Sequence, residues 1–513
     1  MTREGTGSAA SRRRAAGAGA VAAGSTLAAA QLGASLIPAA TSPVLGVASL
    51  VIAATPPRLR EVLVGSAGTA DKPLLLAGVT VAVLGLGAVV GVRARDSRAA
   101  GRVGVLALAA AALLASLSRP GVAVAPTVLV VVAAAVLGTA VLELLLAPRR
   151  QPVGAAGRRA LLVRTGGVLV GSAAAVAASR FLVAARSVQS VRAAVSLPRP
   201  GRRAAELPAG GGAAAPGRTP LVTSNARFYT IDTTLGGYPQ VDPAGWSLDL
   251  GGLVDRPRRF SYDDLLALPQ VEAWITLGCV GNNVGGNLVG TARWQGVLLA
   301  DLLRAAGPHP AAAQVALTSV DGYTGSFGLA SALDGRDAMV AIGMNGEPLP
   351  IAHGFPARLV VPGLYGYESA VKWLSRIDLV DNDFQAFWVQ RGYAKEAVFR
   401  TQSRVDVPVD GRPVRRDADG TVLVAGMAWA PHRGLSRVEV STDGGPWRPA
   451  ELAPDLLGPD AWRPWSWRWQ AATGTHTLSV RATDGRGLTQ PGQPRGVLPD
   501  GATGWHTVVV VVG

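Results

Sequence analysis

Three structural classes follow one another along this 513-residue chain: a bundle of apolar helices, a mixed α+β domain, and an immunoglobulin-like β-sandwich. Three observations predict that order. Apolar runs fill the first two hundred residues, all twelve tryptophans fall after residue 220, and from Thr421 onward apolar residues alternate with a period of two. The length suits three or four units at ~100–200 residues each. Apolar residues make up 49% of the chain and charged ones 16%. The latter is below the ~25% usual for soluble domains, and the former excludes a disordered chain. A single cysteine, Cys279, excludes a disulfide framework, because a bridge needs two.

The net charge of +15 suggests nucleic acid until it is divided along the chain. Residues 1–200 carry 21 Lys and Arg against 5 Asp and Glu, whereas residues 201–513 carry 28 against 29. The basic excess lies wholly in the apolar half. A nucleic-acid groove needs cations clustered on a soluble face, so that class is excluded.

Residues 1–197 read as a transmembrane anchor of about five helices. The apolar runs cover about 15–37, 73–92, 103–118, 123–147 and 160–184. Pro73–Val92 is free of charge and, at ~1.5 Å per residue, crosses a ~30 Å hydrocarbon core. Val103–Ser118 is short for a span and calls for local thinning. Abundant Ala and Gly suit close helix packing in lipid. Pro43–Val64, broken by Pro56, Pro57, Arg58, Arg60 and Glu61, reads as an interfacial or re-entrant piece. With a cytoplasmic N-terminus, the inner segments hold twelve arginines and the outer segments four Lys or Arg. That alternation predicts five spans with residues 185–513 outside the cytoplasm. No histidine lies in residues 1–200, and Met1 is their only methionine. These spans therefore lack the axial ligands of a membrane cytochrome b. Glu143, near a helix end, is expected to snorkel.

Residues 198–220, with five prolines and Gly211–Gly212, read as a flexible linker. Residues 221–400 alternate β-like runs (Trp246–Leu250, Gln314–Ser319, Arg358–Val361) with helix-like ones (Tyr262–Ala267, Leu298–Ala306), which predicts the α+β domain. In residues 401–513 the runs Val422–Ala430, Ser436–Ser441, Trp465–Gln470 and Thr477–Thr483 are separated by turn chemistry at Asp443-Gly444-Gly445 and Asp484-Gly485. About seven short strands in a hundred residues predict the immunoglobulin-like sandwich. The stripe Trp465, Trp467 and Trp469 lies on one strand face and reads as core.

An isolated cysteine is ordinarily a small buried hydrophobe. Cys279, however, ends a β-like run and is followed at once by Val-Gly-Asn-Asn-Val-Gly-Gly-Asn. Such a loop lets backbone approach a bound group and offers it amide donors. A thiolate there serves as a nucleophile or a soft metal ligand. One cysteine cannot build a zinc or iron–sulfur site, so the remaining ligands must come from elsewhere, as from an organic dithiolene.

The segment Thr276–Asn282 (Thr-Leu-Gly-Cys-Val-Gly-Asn) resembles the molybdenum-cysteine segment of the sulfite oxidase family of molybdenum enzymes. Ala292–Val297, Met344–Pro350, His353–Gly363, Tyr365-Gly366 and Val371–Leu374 follow in that family's order. Gly426–Trp429 and Val438–Gly445 are similar to the family's dimerisation domain. The membrane N-terminus is like that of membrane-anchored, actinobacterial-type relatives. The resemblance covers about residues 221–513. It implies that Cys279 is the thiolate on molybdenum, whose other sulfurs come from one molybdopterin dithiolene. It assigns cofactor contacts to Asn225, Phe228, Tyr229, His353, Arg358 and Lys372, with Ser319 or Asp321 supplying another. An Arg fork and a Lys point charge suit the phosphate of a pterin. Tyr393 matches a family tyrosine beside the metal, where its phenol donates a hydrogen bond.

Two departures bear on the substrate. Sulfite-oxidising relatives place an arginine where this chain has Ile231, and another where it has Asn283 and Val284. A doubly charged oxyanion lacking those cations faces a desolvation cost of several kcal/mol. The expectation is therefore two-electron oxygen-atom transfer on a small S- or N-containing substrate of low charge, with sulfite and nitrate disfavoured. With neither haem domain nor four-cysteine cluster expected, electrons go to an external carrier, either a redox protein or a quinone-linked partner. Membrane lipid is the other expected partner, and a homodimer through the C-terminal domain is admitted. Arg158-Arg159, before the last apolar run, also reads as a twin-arginine export signal, suited to a domain that crosses already folded. The alternative from another class is a cell-surface scaffold with a decayed cofactor site. A cysteine hydrolase ranks last, because no hydrolase motif surrounds His309, His353, His432, His476 or His506.

Overall fold

A computed structural model describes residues 4–37, 40–56, 71–118, 122–147, 155–185, 187–207, 217–235 and 237–513. The chain divides into two compact units, Met1–Ser187 with Thr234–Gly237, and Val188–Thr233 with Tyr238–Gly513.

The first unit is helical: α1 (Glu4–Leu36), α2 (Pro43–Ala54), α3 (Asp71–Asp96), α4 (Arg98–Leu117), α5 (Val124–Leu146) and α6 (Ala155–Ala185). Five of these, all but α2, are long and apolar enough to cross a membrane. The expected shortness of the third run is corrected. α4 begins at Arg98, capped by the Ser97 side chain, and its 20 residues span ~30 Å. α2 has 12 residues, too few to cross. Arg58, Arg60 and Glu61, which were expected to break that segment, lie outside the described residues. α1 packs against α3, α5 and α6. At its crossing with α3, a Cβ on Gly19 would overlap the Gly87 carbonyl, and one on Gly87 would overlap Ala23. Gly87 and Gly91 form the small-xxx-small spacing that lets backbones meet. Ser172 donates to Ser25 at 3.0 Å between α6 and α1. Glu143 does not snorkel alone; it takes a hydrogen bond from Arg102 Nε at 2.7 Å, from α5 to α4.

The second unit starts with α7 (Gln189–Ala194), whose Arg192 is buried. Arg192 donates to the Leu349 carbonyl at 2.7 Å and pairs with Glu347 at 2.8 Å. The stretch after it was expected to be a tether, yet residues 198–207 lie along the domain. The Pro198 carbonyl accepts from Gln295, Arg202 bridges Val271, and the Ala205 carbonyl accepts from Trp274 Nε1. Proline leaves its carbonyl available, and here neighbouring side chains use it. Residues 208–216 lie outside the described residues.

Two sheets build the α+β part. One has the order β2 (Arg258–Ser261), β1 (Ser247–Gly252), β10 (Leu374–Val380), β5 (Gln314–Ser319), β6 (Thr324–Gly328). The other runs β3 (Val271–Gly278), β4 (Val289–Leu298), β7 (Met339–Met344), β8 (Glu347–Pro348), with β9 (Arg358–Val360) paired to β7. Helices α8 (Tyr262–Ala267), α9 (Leu299–Ala306), α10 (Ala330–Leu333) and α11 (Gly366–Ser369) complete it. Leu248, Ile275, Trp294, Val297, Leu317, Ile342 and Leu359 fill the shared core.

The C-terminal part is β-rich. One sheet runs β11 (Gln402–Val407), β13 (Thr421–Trp429), β17 (Arg463–Gln470), β16 (Glu451–Leu452). The second runs β12 (Pro413–Val414), β19 (His506–Val512), β18 (Gly474–Asp484), β14 (Leu435–Thr442), β15 (Arg448–Pro449). Inward residues of both, including Val424, Val438, Val480 and Val510, form one core. Trp465 and Trp469 are buried in it and Trp467 packs against it, as the period-two stripe predicted. A third cluster, with Trp274, Tyr365, Phe399, Trp429 and Trp462, joins this part to the α+β sheets. Trp462 Nε1 donates to the Leu221 carbonyl at 2.7 Å, and the Trp462 amide to Thr276 Oγ1 at 2.7 Å.

Candidate functional site

Cys279 stands one residue past β3, every residue of which is buried. β3 pairs with β4 so that Gly278 faces Val289, and residues 279–288 form the connection. Hydrogen bonds within the loop fix its near end. The Cys279 amide donates to the Leu288 carbonyl at 2.9 Å, the Asn282 amide to the Cys279 carbonyl at 3.0 Å, and the Leu288 amide to Asn282 Oδ1 at 2.8 Å. Asn282 Nδ2, by contrast, is buried with no partner among the described residues. The partly buried sulfur accepts from the Gly281 amide at 3.4 Å. Burial pushes the thiol up to about 11, against the pull of that amide. It is a neutral thiol at pH 7, and a bound cation is what would deprotonate it.

Tyr229 lies in the field of both this sulfur and a buried cation. Burial raises its phenol, Cys279 raises it further, and Arg358 pulls it down. Phe228 stacks on Tyr229 at 5.4 Å and meets Trp294 and His353 edge-on at 5.8 and 5.7 Å. Arg358 is 5% exposed, lies 5.0 Å over Trp294, and donates to the carbonyls of His353 at 3.2 Å and Ala370 at 3.0 Å. Burial lowers it to about 10. Among the described residues no carboxylate pairs with it. His353 is buried, with Nε2 3.0 Å from the Asn225 carbonyl, and its pKa falls to about 4 through burial and then Arg358. Lys372 pairs with Asp232 at 2.9 Å and donates to the Ala352 carbonyl at 3.2 Å.

The residues predicted from sequence thus fall into groups. Phe228 touches both Tyr229 and His353, Arg358 donates to the His353 carbonyl, the fields of Cys279 and Arg358 reach Tyr229, and Lys372 adds its field to His353. Asn225 joins them through its backbone carbonyl; its side chain instead donates to Glu347 at 2.5 Å and the Met344 carbonyl at 3.2 Å, and accepts from Asn345 at 2.8 Å. Ser319 and Asp321 shape the β5–β6 turn, the Asp321 amide donating to Ser319 Oγ at 3.4 Å and the Tyr323 amide to Asp321 Oδ1 at 3.2 Å. Tyr393 packs on Trp388 at 5.5 Å and on Tyr367 at 5.6 Å.

Sequence reasoning missed several neighbours. Tyr323, two residues past Asp321, donates to the Tyr367 carbonyl at 2.5 Å, and burial, then the field of Glu368, raises its phenol. Gly366 brings the start of α11 against the Tyr229 hydroxyl and the Gly278 carbonyl. The Tyr365 hydroxyl lies so near Gly501 that a Cβ there would meet it at 2.5 Å. Asp500 next to it takes both Arg400 and Arg495. Asp321-Gly322-Tyr323 carried a local signal as a turn and Tyr365-Gly366 stood among the motifs, whereas Gly501 and Arg400 carried none, because their partners lie a hundred or more positions away.

A buried guanidinium whose acceptors are neutral carbonyls favours an anion beside it. Together with the lone thiol just past β3, this donor set suits a ligand that carries both a phosphate and a metal. The family model described as "Oxidoreductase molybdopterin binding domain" matches residues 235–388, a range that holds Cys279, His353, Arg358 and Lys372. Rat mitochondrial sulfite oxidase is 32% identical over 345 residues, 57% of this chain and 62% of that one. The chain thus spans about three fifths of the length of its mammalian relatives. Sulfite oxidase of Arabidopsis thaliana is 30% identical over 366 residues, 58% of this chain and 92% of that one. Among solved structures, the sulfane dehydrogenase SoxCD from Paracoccus pantotrophus is 26% identical, covering 53% of this chain and 74% of that one at a TM-score of 0.47. The chain belongs to the sulfite oxidase family of molybdopterin oxidoreductases.

Proposed function

We propose that the protein is a membrane-anchored oxidoreductase acting on a small sulfur- or nitrogen-containing substrate of low charge. The observation that carries it is Arg358, a buried cation with only carbonyl acceptors, which lies over Trp294, whose indole donates to the Ile275 carbonyl on the strand leading to the single thiol. Arg358, His353 and Lys372 would hold the phosphate and pterin, with Phe228 and Tyr229 lining them and Cys279 binding the metal. Molybdenum on one dithiolene supplies two-electron oxygen-atom transfer. The protein's part is to orient and to exclude water: Phe228 and Trp294 keep the guanidinium dry, which strengthens its hold on an anion. His353, held neutral by its surroundings, offers Nε2–H to the Asn225 carbonyl and adds no charge. Tyr393 would donate its phenolic proton to a substrate oxygen, and Ser319 or Asp321 would add a polar cofactor contact.

The low charge of the substrate rests on the departures at Ile231, Asn283 and Val284. Ile231 is 46% exposed, and beside it Asp232 pairs with Lys372. The five apolar helices support anchoring, with the N-terminus cytoplasmic, the catalytic part outside the cytoplasm, and Arg158-Arg159 at the start of α6 as export signal. The two-sheet C-terminal part is read as immunoglobulin-like and as the surface of a homodimer, and electrons leave singly or in pairs to an external carrier without haem in the chain. Metal analysis with a substrate panel tests this. Near-stoichiometric molybdenum and turnover of neutral S- or N-oxides are expected. No metal from a cofactor-making host, or sulfite alone turned over at micromolar concentration, would sink it.

A further inference from the structure

The loop that carries Cys279 is held at its far end by the C-terminal domain. Arg404 on β11 donates from Nη1 to the Gly286 carbonyl at 2.6 Å and from Nη2 to Thr219 Oγ1 at 2.8 Å, while Nε pairs with Asp406 at 2.8 Å. Asp406 in turn accepts the Thr219 amide at 3.0 Å. The Arg404 side chain is 11% exposed. His506, the first residue of β19, accepts the Val405 amide on Nδ1 at 3.0 Å, which puts its own proton on Nε2. The opposite edge of the ring lies on Gly285, where φ is +76° and a Cβ would overlap it. A stretch reading Asn-Asn-Val-Gly-Gly-Asn has little side chain of its own to bury, so its order depends on such external contacts.

We infer that Arg404 and His506 are positioning residues, through which the C-terminal domain sets where the Cys279 sulfur stands. Neither touches the sulfur; both act on Gly285 and Gly286. The catalytic consequence rests on the reading of Cys279 given above, but the positioning does not. Because Cys279 is the single thiol in the chain, its position is readable without any cofactor.

The test is the rate of thiol–disulfide exchange of the full chain with an aromatic disulfide, in detergent, after production in a host that makes no molybdopterin. Arg404→Met and Gly285→Ala are each expected to react about tenfold faster than wild type, because local opening becomes easier. Arg404→Lys, which keeps the charge but not the three-way fork, is expected between them and wild type. Adding His506→Ala to Gly285→Ala removes the overlap together with the ring's own hold on the loop, so the double variant should react no faster than Gly285→Ala alone, a non-additivity that general loosening does not produce. Arg481→Met, which removes a cation stacked on Trp447 elsewhere in the same domain, should change nothing. In the molybdenum-loaded protein the Arg404 variants should lower kcat about a hundredfold with KM little changed, and shift the thiolate-to-metal absorption. Wild-type exchange rates in both Arg404→Met and Gly285→Ala would overturn the inference, as would an equal increase in Arg481→Met. A chain that never holds molybdenum, yet shows the expected exchange pattern, would sink the functional reading and leave the positioning intact.

Discussion

Lys372 Nζ stands 2.9 Å from Asp232 Oδ2, with the two side chains 10% and 4% exposed. A cation that sequence resemblance assigned to a phosphate therefore has a carboxylate of its own. Removing that carboxylate leaves a largely buried ammonium without its counter-charge. Asp232→Ala should cost about 3–5 kcal/mol, and Asp232→Ala/Lys372→Met markedly less than the sum of the single changes. Urea midpoints of the full chain in detergent measure both. Additive effects would show that the pair is not coupled.

Acid should destabilise the cofactor-free protein through His353. Its pKa is lowered from 6.5 to about 4, first by burial and then by Arg358. Between those values the unfolded chain binds a proton that the native state refuses. Stability from this group is therefore full above the unfolded pKa and falls as pH drops, at up to about 1.4 kcal/mol per pH unit. His353→Asn should flatten the dependence of the urea midpoint by about one proton between pH 6.5 and 4. An unchanged slope contradicts the assignment.

Glu368 predicts the opposite sign. It is fully buried, accepts from the Ser326 amide, and burial drives its pKa well above the usual carboxylate range. Its proton is retained in the native state after the unfolded chain has lost it, so stability is full below pH 4.5 and declines as pH rises. Glu368→Gln keeps the shape and the acceptor oxygen but cannot ionise. Its melting temperature should match wild type at pH 4 and exceed it at pH 7. Equal values at pH 7 would mean that the carboxyl ionises without penalty.

In the helical unit the sharpest steric test is Gly87→Leu. The Ala23 side chain and the Gly19 carbonyl occupy the space a side chain would need, so α1 and α3 must separate. Gly85→Leu, on the same helix with open space around it, serves as the control. Loss of the melting transition in detergent is expected for the first and not the second.

Much of this was legible in the residues. The five long helices stand where the apolar runs do, because a long apolar run is a local property; the β-rich end, expected from Thr421, begins earlier with β11 at Gln402, which shows no period-two alternation of its own. Phe228, Tyr229, His353 and Arg358 came from motif resemblance; Phe228 packs on Tyr229 and His353, and Arg358 donates to the His353 carbonyl. The Asn225 side chain bonds Asn345 through its oxygen and Glu347 through its nitrogen, partners more than a hundred residues away that no local pattern announced. The docking of residues 198–207 was invisible, because their composition says tether and the partners that hold them lie about seventy to a hundred and thirty residues away.

By itself the sequence determined the chemistry available: one thiol, an arginine and a lysine in family order, and apolar lengths that fit a bilayer. Only tertiary structure decided which charges stay bare and which are cancelled. Arg358 is left with carbonyls, Lys372 receives Asp232, and Gly285 receives the His506 ring from more than two hundred residues away. Such pairings are set by sheet register and by what desolvation allows a buried charge to do, and neither is written in any short stretch of the chain.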